Sequence, residues 1–226
     1  NLAQQDVPDQ VTVGKAMLLH AEENYVTHLF DASTLSSIRT GACVALALRL
    51  LAPRRRRVGI VGAGRVGFYS AVFIRAIGGV EAMRITDIVP ARANALARLL
   101  SGLHTDIDCA TGRHFPDDKA YVSVLASSIP LCRPPAGDAA LVVSVGADTD
   151  YQRELDPAWA DAADIVVDTL DSARFGDLRA WLENGRIRRE DLRDLFDVLR
   201  RPPETGRPIL FVSTGSALFD NLTLDY

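Results

Sequence analysis

The chain has 226 residues, 48% of them apolar, which is enough for one large domain or two small ones with a real core. Its net charge is −4, with acids and bases mixed along the chain, which excludes a global pull toward nucleic acid or anionic membranes. No apolar run approaches the roughly 18 residues of a membrane span and no secretory signal is present, so a cytoplasmic protein is expected, with neither nucleic-acid nor membrane partners.

Taken in chain order, the stretch from Val11 to Phe30 is rich in β-formers around a polar Glu22-Glu23-Asn24 and predicts a hairpin or two adjoining strands. Ser33 offers a helix N-cap. From Leu35 to Leu51 apolar residues recur at helical spacing (Ile38, Ala42, Ala45, Leu48, Leu51) until Pro53 stops them. The basic run Arg54 to Arg57 reads as a solvated loop entering a strand. Val58 to Val61 is a short buried strand, Val66 to Ile77 a helix ended by Gly78-Gly79, and Ala82 to Thr86 a second strand. Pro90 opens a helix through Ala93, Leu96 and Leu100. Tyr121 to Ala126, Ala140 to Val145 and Ile165 to Val167 are further apolar strands. A helix follows near Leu178 to Glu183, stopped by Gly185, and another from Glu190 to Arg200. Pro202-Pro203 marks a linker, Ile209 to Val212 a last strand, and Ser213-Thr214-Gly215 leads into a terminal helix. Continuous apolar strands separated by helices predict an α/β fold, a doubly wound parallel sheet covered on both faces.

Within this pattern Gly62-Ala63-Gly64-Arg65-Val66-Gly67 forms a full GxGxxG that directly follows a strand and opens a helix. Gly62 suits a tight turn, Gly64 leaves the backbone bare for a pyrophosphate, and Gly67 lets helix and strand pack closely. Free amides at the helix start then meet the phosphate charge. Asp87 ends the next strand about twenty residues beyond the last glycine, where an acid can bind both ribose hydroxyls and repel a 2′-phosphate. These six loop residues and Asp87 therefore predict NAD, with NADP less favoured. Ser127 and Ser128, which end a strand, are expected beside the cofactor. Cys43, Cys109 and Cys132 lack metal-type spacing and read as idle thiols in a reducing compartment, so no metal site is expected. His20, His28, His104 and His114 share no motif.

Around the glycine loop the chain resembles the ornithine cyclodeaminase/μ-crystallin family. Four segments carry the likeness: Leu35-Ser36-Ser37-Ile38-Arg39-Thr40-Gly41-Ala42; Gly146-Ala147-Asp148 with Arg153-Glu154-Leu155-Asp156; Phe175-Gly176-Asp177-Leu178; and Ser213-Thr214-Gly215-Ser216-Ala217 with Asp220. The resemblance implies a Rossmann domain at 53–207 inserted into a smaller α+β substrate and dimerisation domain built from both ends, 1–52 and 208–226, in a homodimer. It implies that Arg39 grips a substrate carboxylate and that Asp148 is the catalytic aspartate. Ser213 and Thr214 match positions where the family approaches the nicotinamide end. The implied activity is NAD-dependent chemistry at the Cα–N bond of a small amino acid or imine: a cyclodeaminase (lyase), or an amino-acid dehydrogenase or imine reductase of amino-acid metabolism. The alternative is a non-catalytic, μ-crystallin-like binder of the cofactor. A substrate-site lysine of the family falls before or around Asn1; Lys15, the nearby lysine, sits inside the strand pattern and is read as lacking that role. The abrupt start at Asn1 and the helix cut at Tyr226 lead us to expect further segments beyond both ends.

Overall fold

The structure is a computed structural model that describes residues 14–54, 56–103, 108–111, 121–126, 141–203 and 206–224. The first unit is an antiparallel hairpin of β1 (Lys15–Leu19) and β2 (Val26–Asp31), with a bulge between Leu18 and Leu19. It runs directly into α1 (Ala32–Leu51). The helix is capped by Asp31, whose side chain accepts from the amides of Ser33 and Thr34 at 3.0 and 3.2 Å. Ser33, the residue the spacing favoured as N-cap, instead accepts from Gly14 N at 2.8 Å and ties hairpin to helix. Asp31 takes the cap because both carboxylate charge and side-chain reach suit the unpaired amides of the first turn. The helix ends at Leu51, and Ala52, which precedes Pro53, has already left helical geometry.

The remaining strands form one parallel sheet: β3 (Arg57–Val61), β4 (Ala82–Thr86), β5 (Asp108–Thr111), β6 (Tyr121–Leu125), β7 (Leu141–Ser144), β8 (Asp164–Val167), β9 (Leu192–Asp194) and β10 (Ile209–Val212). Their spatial order is β5-β4-β3-β6-β7-β10-β8-β9. The chain winds outward from β3 to β5 and then returns to build the other half from β6. This reversal is the switch point of a doubly wound sheet. The helices between strands are α2 (Arg65–Ala76), α3 (Pro90–Leu103), α4 (Trp159–Ala162), α5 (Gly176–Glu183) and α6 (Leu195–Arg200), with α7 (Ala217–Leu224) last.

Alternation along each strand builds two cores. Val58, Ile60, Val124, Val143, Val166 and Phe211 enter one, with α1, α2 and α3; Leu125, Val142, Ile165, Val167, Leu210 and Val212 enter the other, with Trp159, Leu178 and Trp181. α1 is long and apolar enough to cross a membrane, which the sequence reading did not expect. In the structure Val44, Ala47 and Leu48 on this helix are fully buried in the first core.

Two expectations change, and one strand was not expected. The strand Ile209–Val212 was assigned to the end-built domain, but it lies inside the sheet, flanked by β7 and β8. The boundary at 208 is therefore too early, because a strand apolar on both faces needs neighbours on both sides. The helix expected over 190–200 divides into a 3-10 turn (Arg189–Asp191), the edge strand β9 and the short α6, which Asp194 caps through Asp197 N at 2.9 Å. Leu192, Leu195 and Val198 mimic helical spacing, but Leu192 pairs with Ile165 at the sheet edge. The edge strand β5 is four residues long, with only Cys109 and Ala110 apolar, too short a run to mark a strand.

α1 crosses α2 at Gly41, where a Cβ would sit 2.6 Å from the carbonyl carbon of Tyr69 and 2.8 Å from Ser70 N. No side chain fits that approach. Gly41→Ala is expected to lower unfolding free energy by about 1–3 kcal/mol through overpacking, measured by urea unfolding; an unchanged midpoint would show that the two helices part freely.

Candidate active site

Parallel register brings the strand ends into one row. Thr86 pairs with Val61, Val61 with Leu125, Leu125 with Ser144, Ser144 with Val212, and Val212 with Val167. The next residue in each chain is Asp87, Gly62, Ala126, Val145, Ser213 and Asp168. Residues that the sequence scatters over more than a hundred positions thus open on one edge, where doubly wound sheets hold ligands.

At the switch point Gly62 has φ +104°, and a Cβ there would lie 2.5 Å from Ala126 O. A Cβ on Gly67 would lie 2.0 Å from Gly62 O, so the turn and the first turn of α2 close on each other. Gly64 is different: a Cβ there meets nothing within 4 Å. Two glycines are required by packing and the third faces open space. Ala63 N donates to Asp87 Oδ2 at 2.7 Å, and Val89 N to Asp87 Oδ1 at 2.8 Å. The carboxylate braces the tip of the glycine loop and still has lone pairs to offer. Arg65 and Val66 begin α2, with Arg65 exposed.

Asp148 is exposed on the loop after β7, and among the described residues its carboxylate accepts no hydrogen bond. Asp150, two residues on, is instead committed to an ion pair with Arg179 at 2.5 Å. Buried acids shape this loop. Glu154, fully buried, accepts from Ser144 Oγ at 2.6 Å and Gly146 N at 2.9 Å. Asp177, also buried, accepts from Glu154 N at 2.8 Å, and Gly176 N donates to Thr149 O at 3.0 Å. Burial pushes the Asp177 carboxyl up, partly offset by the Glu154 amide and by Arg153. The sequence reading quoted both acids as motif letters without giving them roles.

Arg39 on α1 reaches the loop after β10. Its Nε donates to Asp220 Oδ1 at 2.9 Å and its Nη2 to Ser36 Oγ at 2.8 Å. Gly215 lies against the guanidinium, since a Cβ there would sit 2.9 and 3.1 Å from the two Nη atoms. Held on three sides, the guanidinium spends two of its five donors among the described residues. Ser213 is buried and Thr214 half-buried in the same turn. Ser127 and Ser128 lie outside the described residues. Lys15 stands exposed on the hairpin opposite Asp31. A cavity of about 620 Å³ lined by Arg186, Arg193, Arg201 and Arg207 opens at the amino edge of β8, away from this row.

Residues 4–220 match the sequence profile of the ornithine cyclodeaminase/mu-crystallin family. The chain belongs to that family. It is 31% identical over 224 residues to an L-lysine cyclodeaminase of Streptomyces rapamycinicus, a match covering 94% of this chain and 64% of that protein. Its fold is similar to that of the Thermococcus litoralis Δ1-pyrroline-2-carboxylate reductase in complex with NADH and L-proline, with TM-score 0.82 and 20% identity over 94% of this chain and 70% of the other. An archaeal alanine dehydrogenase dimer with bound NAD gives TM-score 0.81 and 22% identity, over 94% and 69%. The chain therefore spans about two thirds of the length of these relatives. The four family segments pair in space: the Asp148 and Asp177 segments through Glu154, and the Arg39 and Ser213 segments through Asp220.

Because Asp177 binds its proton more tightly folded than unfolded, its favourable contribution is greatest at acid pH. That contribution is lost as pH rises from the ordinary value near 3.8 through the raised one. Asp177→Asn keeps an acceptor for Glu154 N and removes this titration. Urea unfolding between about pH 3 and pH 7 should show the variant gaining stability relative to wild type as pH rises; a difference that is flat or falls with pH would contradict a raised carboxyl.

Proposed function

We propose that this chain binds NAD(H) along the carboxyl edge of its sheet and acts at the Cα–N bond of a small amino acid or its imine, as an ornithine cyclodeaminase-like enzyme. The observation that carries this reading is the division of labour in the glycine loop. Gly62 and Gly67 are fixed by contact, whereas Gly64 is bare toward open space. A diphosphate fits there, against the amides that begin α2. Asp87 is placed for the ribose hydroxyls and its charge disfavours a 2′-phosphate, hence NAD over NADP. Bound there, the cofactor supplies a hydride acceptor or donor.

The chain's own groups do the rest. Arg39 takes the substrate carboxylate through its unspent donors, a charge-assisted contact that orients the α-carbon. Asp148, exposed and with a carboxylate that accepts no hydrogen bond among the described residues, takes a proton from the substrate ammonium. The nitrogen lone pair would then be available to the hydride chemistry that the cofactor would supply at Cα. In the reverse direction the carboxylic acid returns that proton. Support for amino-acid chemistry comes from the names of the relatives, an L-lysine cyclodeaminase, a pyrroline-carboxylate reductase and an alanine dehydrogenase. The hairpin exposes Met17, Leu19 and Leu29, and we assign this face to a homodimer of the kind named for the archaeal relative.

The test begins with cofactor. NADH titrated by fluorescence should bind wild type. Gly64→Ala should weaken binding by about tenfold or more while leaving the melting temperature unchanged, whereas Gly67→Ala should lower stability itself. No binding of NADH or NADPH by wild type sinks the proposal. Turnover is then followed with L-lysine, L-ornithine, L-alanine and Δ1-pyrroline-2-carboxylate. Ammonia release without net NADH marks a cyclodeaminase, NADH formation a dehydrogenase, and NADH loss a reductase. Asp148→Asn should cost roughly a hundredfold or more in turnover with amino-acid affinity kept. Cofactor binding without turnover of any substrate would favour the non-catalytic alternative.

A further inference from the structure

Behind the Arg39 turn lies a carboxylate that the proposed chemistry does not use. Asp168 ends β8 and is 2% exposed. Among the described residues no cation lies within ion-pair distance of it. Its Oδ1 accepts from Thr169 N at 2.7 Å and from Ser172 Oγ, and its Oδ2 accepts from Ser213 Oγ at 2.6 Å. Ser172 Oγ in turn accepts from Thr214 N at 3.3 Å and from Thr214 Oγ1 at 3.0 Å. Two residues of the turn after β10 are therefore held by one carboxylate, Ser213 directly and Thr214 through Ser172. The next residue, Gly215, carries the guanidinium of Arg39.

We propose that Asp168 is a positioning residue for the ligand-carboxylate subsite: it holds the Ser213–Gly215 turn in place under Arg39. The inference rests on the reading that Arg39 binds a carboxylate. An ionised carboxylate only accepts hydrogen bonds. Both serine hydroxyls must therefore point their protons at it, and Ser172 has only lone pairs left for Thr214. Thr214 spends its N–H and its one hydroxyl proton inward, so its hydroxyl can meet a ligand only as an acceptor. Each link has a single permitted direction, and the turn has one stable arrangement. Cys43, one helical turn from Arg39, closes the same network. Its thiol is pushed up to about 12 by burial and then by the Asp168 charge, partly offset by its hydrogen bond with Ser213 and by Arg39. It stays a neutral S–H and brings no competing charge. An amide in place of Asp168 would present N–H to one of the serines and reverse that link.

The experiment measures the affinity of NADH alone, and then of L-lysine, L-proline and L-alanine on NADH-saturated protein, by calorimetry. Melting temperatures are recorded beside them. Asp168→Asn and Ser172→Ala are expected to weaken whichever amino acid binds wild type best by about tenfold or more, with NADH affinity changed by less than about twofold. Ser172→Ala breaks the link to Thr214 without touching the charge, so it decides the matter if Asp168→Asn does not fold. Amino-acid affinity within twofold of wild type in the folded variants overturns the proposal. So does a parallel loss of NADH affinity and melting temperature, which marks a purely structural residue. Arg39→Ala separates the two levels: if it leaves amino-acid affinity unchanged, or wild type binds none of the three, the carboxylate reading itself fails.

Discussion

Everything at the candidate site depends on eight strands running the same way in one register. Backbone hydrogen bonds fix each strand against its neighbour, and a shift of one residue would turn every side chain to the opposite face. Because register is pinned by two apolar cores, the carboxyl ends of β4, β3, β6, β7, β10 and β8 stop at the same level. The row that follows, Asp87, Gly62, Ala126, Val145, Ser213 and Asp168, is where the strands give way to loops.

The C-terminal strand makes this edge continuous with the N-terminal helix. β10 enters the sheet between β7 and β8, so its following turn emerges beside the Asp148 loop. Its terminal helix then returns Asp220 to Arg39. α1 meanwhile lies on α2 through the bare backbone of Gly41. Arg39 is thereby anchored from two directions, to the glycine-loop helix through packing and to the chain end through an ion pair. An arginine on a surface helix has four flexible torsions; here half-burial and three contacts remove most of that freedom before a ligand arrives.

The sequence made the central winding legible because two signals agreed. The apolar runs at Val58 to Val61 and Tyr121 to Ala126 could only be doubly covered strands, and GxGxxG marked which one led. The hairpin, α1 to α3 and the stop at Pro53 were equally readable from spacing. What failed was decided by tertiary partners. Leu192 has helical neighbours in sequence but a strand partner in space, and β5 is a four-residue edge strand with only Cys109 and Ala110 apolar. The place of β10 could not be read from its own four residues, since insertion between two strands is a property of topology. At the site, the glycines, Asp87, Arg39 and Asp148 were singled out because each had a motif or a strand end to mark it. Glu154, Asp177, Asp168 and Ser172 were not given roles. Their importance lies in what they hydrogen-bond across 10, 23, 45 and 42 residues of chain, and no local pattern reports that.

The distribution of acids along the edge follows from the cost of burying charge. Among the described residues three carboxylates lie inside: Glu154, Asp177 and Asp168. A buried carboxylate is tolerable only where donors surround it. Each of these is held by amides or hydroxyls, which makes it a rigid anchor. Asp148 is the opposite case. It stands on a loop whose shape the buried acids fix, yet its own carboxylate is solvated and unbonded among the described residues. The exposed acid is open to a ligand, while the buried ones hold its loop still. The loop around Asp148 and the turn under Arg39 are built the same way, each with a charge at the front and a fully bonded carboxylate behind. Two adjacent loops of one sheet edge can therefore present a carboxylate and a guanidinium in fixed relation, although neither loop is regular structure.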